Sequence, residues 1–189
     1  MSKLLLLAFV VMVNPALAAV DEAIFAGGSF WRMEAQFSQL KGVLGTVSGF
    51  DGGKSKDPTY TQVANGRTDY VEAVRVIYNP KEVSYKELVE FFWHHIDPMK
   101  ADGQFCDEGK QFNSAIFYLN DKQKAIALAS KKTILKKMGK IFTSIAPSTQ
   151  FYAADYYHQN YYLKHPLRYK YYHYRCGQEE RIEELWGSN

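Results

Sequence analysis

The hydrophobic pattern of this chain changes repeatedly between the period of a strand and that of a helix. The run Ala23-Ile24-Phe25-Ala26 is short, fully apolar and followed by glycines, which is typical of a buried strand. Directly after it, Phe30, Met33, Phe37 and Leu40 recur at the spacing of one helix face. Strands that alternate with amphipathic helices fold as a sheet with helices packed on it, so we predict a two-layer α+β domain.

The rest of the chain continues this alternation. A capping box at Ser84-Tyr85-Lys86-Glu87 predicts one helix, and a long helix is predicted between a cap at Asn120 and a stop at Gly139. One side of the long helix is apolar, formed by Ala125, Leu128, Leu135 and Met138. Further strands are predicted at 43–50, 71–78, 114–119 and 141–145, and loops at 54–65 and 101–113. The 189 residues contain no linker-like segment, so one domain is expected.

The N-terminus has the layout of a secretory signal peptide. Lys3 precedes an apolar run over residues 4–13, and Ala16-Leu17-Ala18 supplies small residues at the cleavage positions. Ten apolar residues fall short of the ~20 that span a bilayer, so no membrane span is expected. We predict a signal peptide at 1–18, a main domain at 19–166 and an irregular C-terminal tail at 167–189. The protein is then secreted or periplasmic.

Composition narrows the function classes. Hydrophobic residues at 47% and charged residues at 23% exclude a wholly disordered chain. Two cysteines are too few for a disulfide-dense scaffold or a zinc site made of cysteines, and His94-His95 point in different directions on a helix, so no metal site is expected. The segment 168–175 interleaves basic and aromatic residues as a single-stranded nucleic-acid binder does. The net charge of only +3 and the predicted export argue against nucleic acid as a partner.

The junction between the first strand and the first helix is the candidate reactive position. Ser29 follows Gly27-Gly28 and stands at a helix N-terminus, where free N–H groups and the helix dipole favour negative charge. Taken alone, Ser29 is best explained as an N-cap. A serine-hydrolase interpretation, with Ser29, Asp107 and His158 in hydrolase order, is disfavoured because Trp31 occupies the final glycine of the G-x-S-x-G motif.

Gly28-Ser29-Phe30-Trp31, followed by Glu34, resembles the active-site segment of the A-type peptide methionine sulfoxide reductases, in which cysteine replaces Ser29. Many further motifs of the family follow in order, and the resemblance covers about residues 23 to 165. These further motifs include Gly49-Phe50-Asp51-Gly52-Gly53, Pro58-Thr59-Tyr60, Val71-Glu72-Ala73-Val74, Phe92-Trp93, Asp97-Pro98, Asp107-Glu108-Gly109-Lys110-Gln111, Ser114-Ala115-Ile116-Phe117 and Tyr157-His158-Gln159. The resemblance implies a mixed sheet covered by helices, a ferredoxin-like α/β sandwich.

The resemblance also implies a chemistry. In the family, a cysteine thiolate attacks the sulfur of an oxidised methionine in a protein, and a carboxylic acid protonates the departing oxygen. The resulting sulfenic acid condenses with a second cysteine, and a thioredoxin-like protein reduces the disulfide. No bound cofactor is implied, the substrate is methionine S-sulfoxide in peptides and proteins, and the purpose is protein repair during oxidative stress by a monomer.

Family roles transfer to matching positions of this sequence. Glu72 is implied as the acid, Tyr60 as a donor to the sulfoxide oxygen, Asp107 as the group that orients water or substrate, and Cys176 as the resolving cysteine. Phe30 and Trp31 are implied as the apolar wall for the substrate methyl group, with Phe112 beside them. Cys106 is either a spectator or a partner of Cys176.

Several positions depart from the family pattern. Ser29 has an aliphatic hydroxyl that stays protonated at neutral pH, and the helix dipole, at ~0.3–1 kcal/mol, is too weak to ionise it. Phe112 replaces a tyrosine, Asn113 an arginine and Tyr70 a histidine. We therefore predict that the chain binds methionine sulfoxide without reducing it. Two interpretations stay open: a reductase whose nucleophile has been exchanged, and a non-catalytic binding module.

Overall fold

The computed structural model describes residues 19–187, and the predicted signal peptide lies outside the described residues. Six strands form one mixed sheet in the order β5-β4-β1-β3-β2-β6. The strands are β1 (Asp21–Ala26), β2 (Val43–Asp51), β3 (Val71–Tyr78), β4 (Ala115–Tyr118), β5 (Ser144–Pro147) and β6 (Tyr152–Ala153). β4 and β5 run parallel, and the other neighbouring strands are antiparallel. The predicted mixed sheet with packed helices is confirmed.

Seven α-helices accompany the sheet in the described part of the chain. They are α1 (Phe30–Phe37), α2 (Tyr60–Ala64), α3 (Tyr85–Trp93), α4 (Asp121–Met138), α5 (Tyr161–Lys164), α6 (Pro166–Arg175) and α7 (Gln178–Trp186), with a short 3-10 helix at Lys110–Phe112. None of the helices within residues 19–187 is both long enough and apolar enough to cross a bilayer.

The main core lies between the sheet and helices α1 and α3. The alternating residues of β3 point to one face, and all of Glu72, Val74, Val76 and Tyr78 are buried there, as the period of two predicts. Phe25 of β1 lies in this core, with its ring 4.9 Å from that of Phe37 and 5.2 Å from that of Phe92. Burial of such aromatic rings supplies much of the packing energy that holds α1 and α3 on the sheet.

Local capping signals fix the start of α3 and both ends of α4 as predicted. Ser84 accepts the Glu87 N–H at 3.3 Å, and the Glu87 carboxylate accepts the Ser84 N–H at 2.7 Å, which completes the capping box of α3. Asn120 caps α4 by accepting the Gln123 N–H at 3.0 Å. The helix ends at Gly139, whose φ of 79° favours glycine.

Three local expectations are wrong. The predicted loop 54–65 contains helix α2, which begins with a capping box of Thr59 and Gln62; five residues are too few for a periodic signal. The predicted strand 141–145 begins only at Ser144. The tail, expected to be irregular, is mostly helical, since it forms α6 and α7.

The face of α4 that meets the core is also different from the apolar side seen in the sequence. Leu128 and Leu135 are exposed, while Ala127 is fully buried. The reason is close helix packing: the Trp93 Nε1–H donates to the Ser130 hydroxyl at 3.0 Å, so small residues of α4 face α3.

Candidate active site

The junction of β1 and α1 places Ser29 next to the middle of the sheet. Gly28 takes a φ of +88°, and a Cβ there would lie 2.8 Å from the Cβ of Gln104, so the turn requires glycine. Ser29 is the N-cap residue of α1 and is buried, but its side chain makes no capping hydrogen bond. Ser29 is therefore the N-cap residue, as expected, but it does not cap through its hydroxyl, and the nearby backbone N–H groups bind other partners.

Those partners are two carboxyl groups from distant parts of the chain. The Phe30 N–H donates to Glu72 Oε2 of β3 at 3.0 Å. The Ser29 N–H donates to Asp107 Oδ2, in the loop before the 3-10 helix, at 3.2 Å. Free N–H groups at a helix N-terminus are natural donors to carboxyl oxygens. The structure therefore brings Ser29, Glu72 and Asp107 together, as the sequence predicted.

Glu72 is an acid that holds its proton at neutral pH. Burial, with a smaller contribution from the nearby charge of Asp107, raises the pKa of its carboxyl group to about 8, against the opposing hydrogen bond from the Phe30 N–H. Glu72 is 2% exposed. A carboxylic acid with this pKa can donate a proton to a leaving oxygen at physiological pH.

Aromatic rings form the wall beside Ser29. Phe30 is buried, and its ring lies 6.1 Å from that of Tyr60. The indole ring of Trp31 stacks on Tyr161 with centroids 3.8 Å apart, and its Nε1–H donates to His158 Nδ1 at 3.3 Å. The His158 ring lies 4.0 Å from Tyr60. A wall of this kind suits an apolar thioether-like group.

The titration of Tyr60 and His158 keeps both groups uncharged. Burial, followed by the charge of Glu72, raises the pKa of the Tyr60 phenol to about 12, so its O–H is available as a donor. Burial lowers the pKa of His158, which leaves a neutral ring whose Nδ1 accepts the indole N–H. In a hydrolase triad the histidine would bridge serine and aspartate, so the hydrolase interpretation of Ser29, Asp107 and His158 is wrong.

The C-terminal tail reaches the same site. The Tyr172 hydroxyl of α6 donates to Asp107 Oδ2, the oxygen that also accepts the Ser29 N–H. Cys176, at the end of α6, forms a disulfide with Cys106, so the two cysteines pair with each other. The basic and aromatic segment 168–175 is thus the helix that carries Tyr172 toward the site.

Two contributors were not found from the sequence. Tyr172 is one, although its position four residues before Cys176 places both on adjacent turns of a helix. Arg32 is the other: it is 1% exposed, donates to the carbonyl of His95 at 2.7 Å and to that of Gly27, and lies over the Phe105 ring at 4.5 Å. These contacts fix the glycine turn, but no local sequence pattern predicts them.

The positions that depart from the family pattern make local contacts. Phe112 is half-buried at the end of the 3-10 helix. Asn113 accepts the Gly103 N–H at 2.7 Å, and the Tyr70 hydroxyl donates to the carbonyl of Ser55 at 2.5 Å. Within residues 19–187, no three His, Cys, Asp or Glu side chains cluster in a way that could hold a metal ion.

Comparison with known proteins agrees with this geometry. The family model described as peptide methionine sulfoxide reductase matches residues 21–189. The peptide methionine sulfoxide reductase MsrA 2 of Rhizobium meliloti is 43% identical over 175 residues, which cover 92% of this chain and 87% of the relative.

Solved structures share the fold. The reduced form of Mxr1 from Saccharomyces cerevisiae aligns with a TM-score of 0.74 at 32% identity, covering 82% of this chain and 90% of that one. Mxr1 in complex with Trx2 aligns with a TM-score of 0.55 at 25% identity, covering 80% of this chain and 90% of that one. Since the family model and a relative above 40% identity both span nearly all of the described chain, this protein belongs to the peptide methionine sulfoxide reductase family, in its MsrA group.

Proposed function

We propose that this protein recognises methionine S-sulfoxide in oxidised proteins and, as its sequence stands, does not reduce it. The observation that carries the proposal is the Glu72 carboxyl group, which accepts the Phe30 N–H beside Ser29 and keeps its proton at neutral pH. The site thus has the acid of a reductase but a hydroxyl in place of the thiol.

Recognition rests on complementary groups. The sulfoxide oxygen is a strong hydrogen-bond acceptor, and both the protonated Glu72 and the neutral Tyr60 phenol can donate to it. Phe30 and Trp31, whose ring centroids lie 6.3 Å apart, offer the apolar surface for the methyl group, and the family resemblance adds Phe112 as a further apolar contact. Asp107, whose Oδ2 accepts the Ser29 N–H and the Tyr172 hydroxyl, orients a water or the substrate.

Reduction stops at its first step. Ser29 has no thiolate to attack the sulfoxide sulfur, and an oxygen nucleophile has no route through a sulfenic acid. The chain has only two cysteines, and both are in the disulfide. With a cysteine at position 29, we propose that Cys176 is the resolving cysteine, released from Cys106 by an external dithiol protein. The likeness to Mxr1 bound to Trx2 supports a thioredoxin-like partner.

The cellular setting is part of the proposal. The N-terminal pattern of residues 1–18 supports export to the periplasm or beyond, where proteins are exposed to oxidants. The protein then acts there as a monomer on oxidised exported proteins.

The test is a paired turnover assay of the protein and its Ser29→Cys variant. The substrates are methionine sulfoxide peptides of defined S or R configuration at sulfur, and the reductant is dithiothreitol. We expect no turnover by the protein itself and consumption of the S epimer alone by Ser29→Cys. The matched control is Ser29→Cys combined with Glu72→Gln, in which loss of the acid should lower turnover by ~10²–10⁴-fold.

Binding is measured in the same buffer. The protein should bind the S-sulfoxide peptide more tightly than the same peptide with unoxidised methionine. Turnover by the Ser29 protein, or equal affinity for oxidised and unoxidised peptides in dithiothreitol, contradicts the proposal. Inactivity of Ser29→Cys with retained binding would assign the protein to the binding-module interpretation, in which the remaining site no longer supports catalysis.

A further inference from the structure

Helix α6 places a phenol on the carboxylate of the candidate site. The Tyr172 hydroxyl donates to Asp107 Oδ2, and the Ser29 side chain lies beside the same phenol. The accepting oxygen of Asp107 is therefore shared between the Ser29 N–H and a group from the tail. A bound substrate or water that took this position at Asp107 Oδ2 would compete with the phenol for it.

The Cys106–Cys176 disulfide lies close to the hydrogen bond between Tyr172 and Asp107 along both segments of the chain. Cys106 immediately precedes Asp107, and Cys176 lies one helical turn after Tyr172. The disulfide between the cysteines therefore ties the segment that carries Asp107 to the helix that carries Tyr172. The Cα atoms of the two cysteines are 4.8 Å apart. The bond thus raises the local concentration of the Tyr172 phenol at Asp107.

Apart from Tyr172 and the disulfide, α6 is held by contacts with α5: the Arg168 guanidinium hydrogen-bonds to Tyr161, and the Tyr169 ring lies 6.1 Å from that of Tyr162. No residue of α6 is fully buried. The following helix α7, by contrast, is anchored independently: Arg181 forms an ion pair with the nearly buried Asp97 at 2.7 Å, and the Trp186 indole N–H donates to the carbonyl of Ile96. Loss of the disulfide would therefore free α6 while α7 stays in place.

We propose that the Cys106–Cys176 disulfide is a second functional site of this protein, which reacts with a dithiol reductant and controls access to the sulfoxide site through Tyr172. In the disulfide form, Tyr172 is an internal ligand of Asp107 and the site is closed. In the dithiol form, α6 is released and Asp107 accepts a hydrogen bond from substrate or water instead. This inference rests on the proposed function and names the regulation of its site.

Reduction of the Cys106–Cys176 disulfide needs only the external dithiol and does not involve Ser29. A thiolate of the reductant attacks one sulfur of the disulfide and forms a mixed disulfide, and the second thiol of the reductant then displaces it. The reductant leaves as a disulfide, and two electrons and two protons remain on Cys106 and Cys176 as thiols. Cys106 is exposed, so the reductant has access to it.

The test compares the oxidised protein, the protein reduced with dithiothreitol, and a Cys106→Ser/Cys176→Ser variant that lacks the bond. The probe is a methionine S-sulfoxide peptide, and its affinity is measured by calorimetry. We expect the reduced and double-serine forms to bind about tenfold more tightly than the oxidised form, because the open state is then the populated one. In the oxidised state, Tyr172→Phe should recover part of this gain, while Tyr171→Phe, at an exposed neighbouring position, should recover none.

Amide hydrogen exchange in residues 166–175 gives a second readout that needs no ligand. Reduction should speed exchange in α6 and leave α7 unchanged. Equal peptide affinity in the oxidised and reduced forms overturns the inference and leaves the proposed function standing. If no form binds the peptide, the proposed function fails. If reduction leaves hydrogen exchange in α6 unchanged, the disulfide does not restrain this helix and the further inference is overturned as well.

Discussion

Replacing Glu72 by glutamine should change how stability depends on pH. Glu72 has a pKa of about 8 in the folded protein against 4.5 in the unfolded chain, because burial disfavours its charged form. The folded state therefore binds the proton more tightly, so stability is fully present below pH ~4.5 and falls as pH rises toward about 8. For this one group the fall between pH 5 and pH 7 is about 2.5 kcal/mol. Glutamine does not titrate, so Glu72→Gln should lack this component.

The assay is urea unfolding of the oxidised protein and of Glu72→Gln at pH 5 and pH 7, with the ionic strength fixed. The difference between the two proteins isolates Glu72, since other titrating groups are common to both. An unpaired glutamine amide adds an offset that is independent of pH and cancels in the comparison. Glu90→Gln, on an exposed part of α3 in an ion pair with Lys86, is the control and should follow the wild-type pH dependence. If Glu72→Gln loses the same stability as wild type over this range, within ~0.5 kcal/mol, Glu72 is not a buried acid and the catalytic assignment fails with it.

Two further predictions concern the scaffold. In Gly49→Ala the new Cβ would lie 2.2 Å from the Tyr152 carbonyl oxygen, so β6 must move. We expect the free energy of unfolding, measured with a chemical denaturant, to fall by about 2–4 kcal/mol. In the control Gly45→Ala the nearest contact is 3.8 Å away, and the free energy of unfolding should fall by less than ~1 kcal/mol. Equal losses for the two variants would contradict the packing of β6. Arg181→Ala leaves the nearly buried Asp97 without its ion-pair partner. This change should lower the free energy of unfolding by about 1–3 kcal/mol and speed proteolysis of α7. Unchanged proteolysis would mean that other contacts anchor this helix.

The sequence predicted the central part of the fold because local and long-range requirements agree there. In β3 the residues Glu72, Val74, Val76 and Tyr78 alternate with the other face, and a half-covered sheet needs this period. The capping box that begins with Ser84 is equally local, so the start of α3 was also predictable.

Features that depend on tertiary packing were missed or misjudged. Leu128 and Leu135 lie on an apolar stripe of the sequence, but both are exposed in the structure. Helix α4 turns a face of small residues toward α3, where Ser130 accepts a hydrogen bond from Trp93. Helix propensity and periodicity carry no information about such a partner. The helices of the tail were missed, since its apolar residues are mostly tyrosines, which pack through rings and hydroxyls without a simple apolar stripe.

The same division applies to the candidate site. Motif resemblance identified Ser29, Glu72 and Asp107, and the structure brings all three together. Tyr172 was missed because it lies 65 residues from Asp107 in the sequence and its only local signal is its spacing from Cys176. Its part in the site depends on a disulfide whose pairing the sequence left open.

The scaffold of the site is made by the main chain at Ser29 and not by its side chain. Both carboxyl groups are held by backbone N–H donors, and the Ser29 hydroxyl caps nothing. Exchange between oxygen and sulfur at this one position therefore leaves the positions of the acid and its neighbours unchanged. Under the proposed function, a single substitution at this position removes or restores chemical reactivity while the recognition surface persists, which is the design of a non-consuming sensor of oxidised methionine.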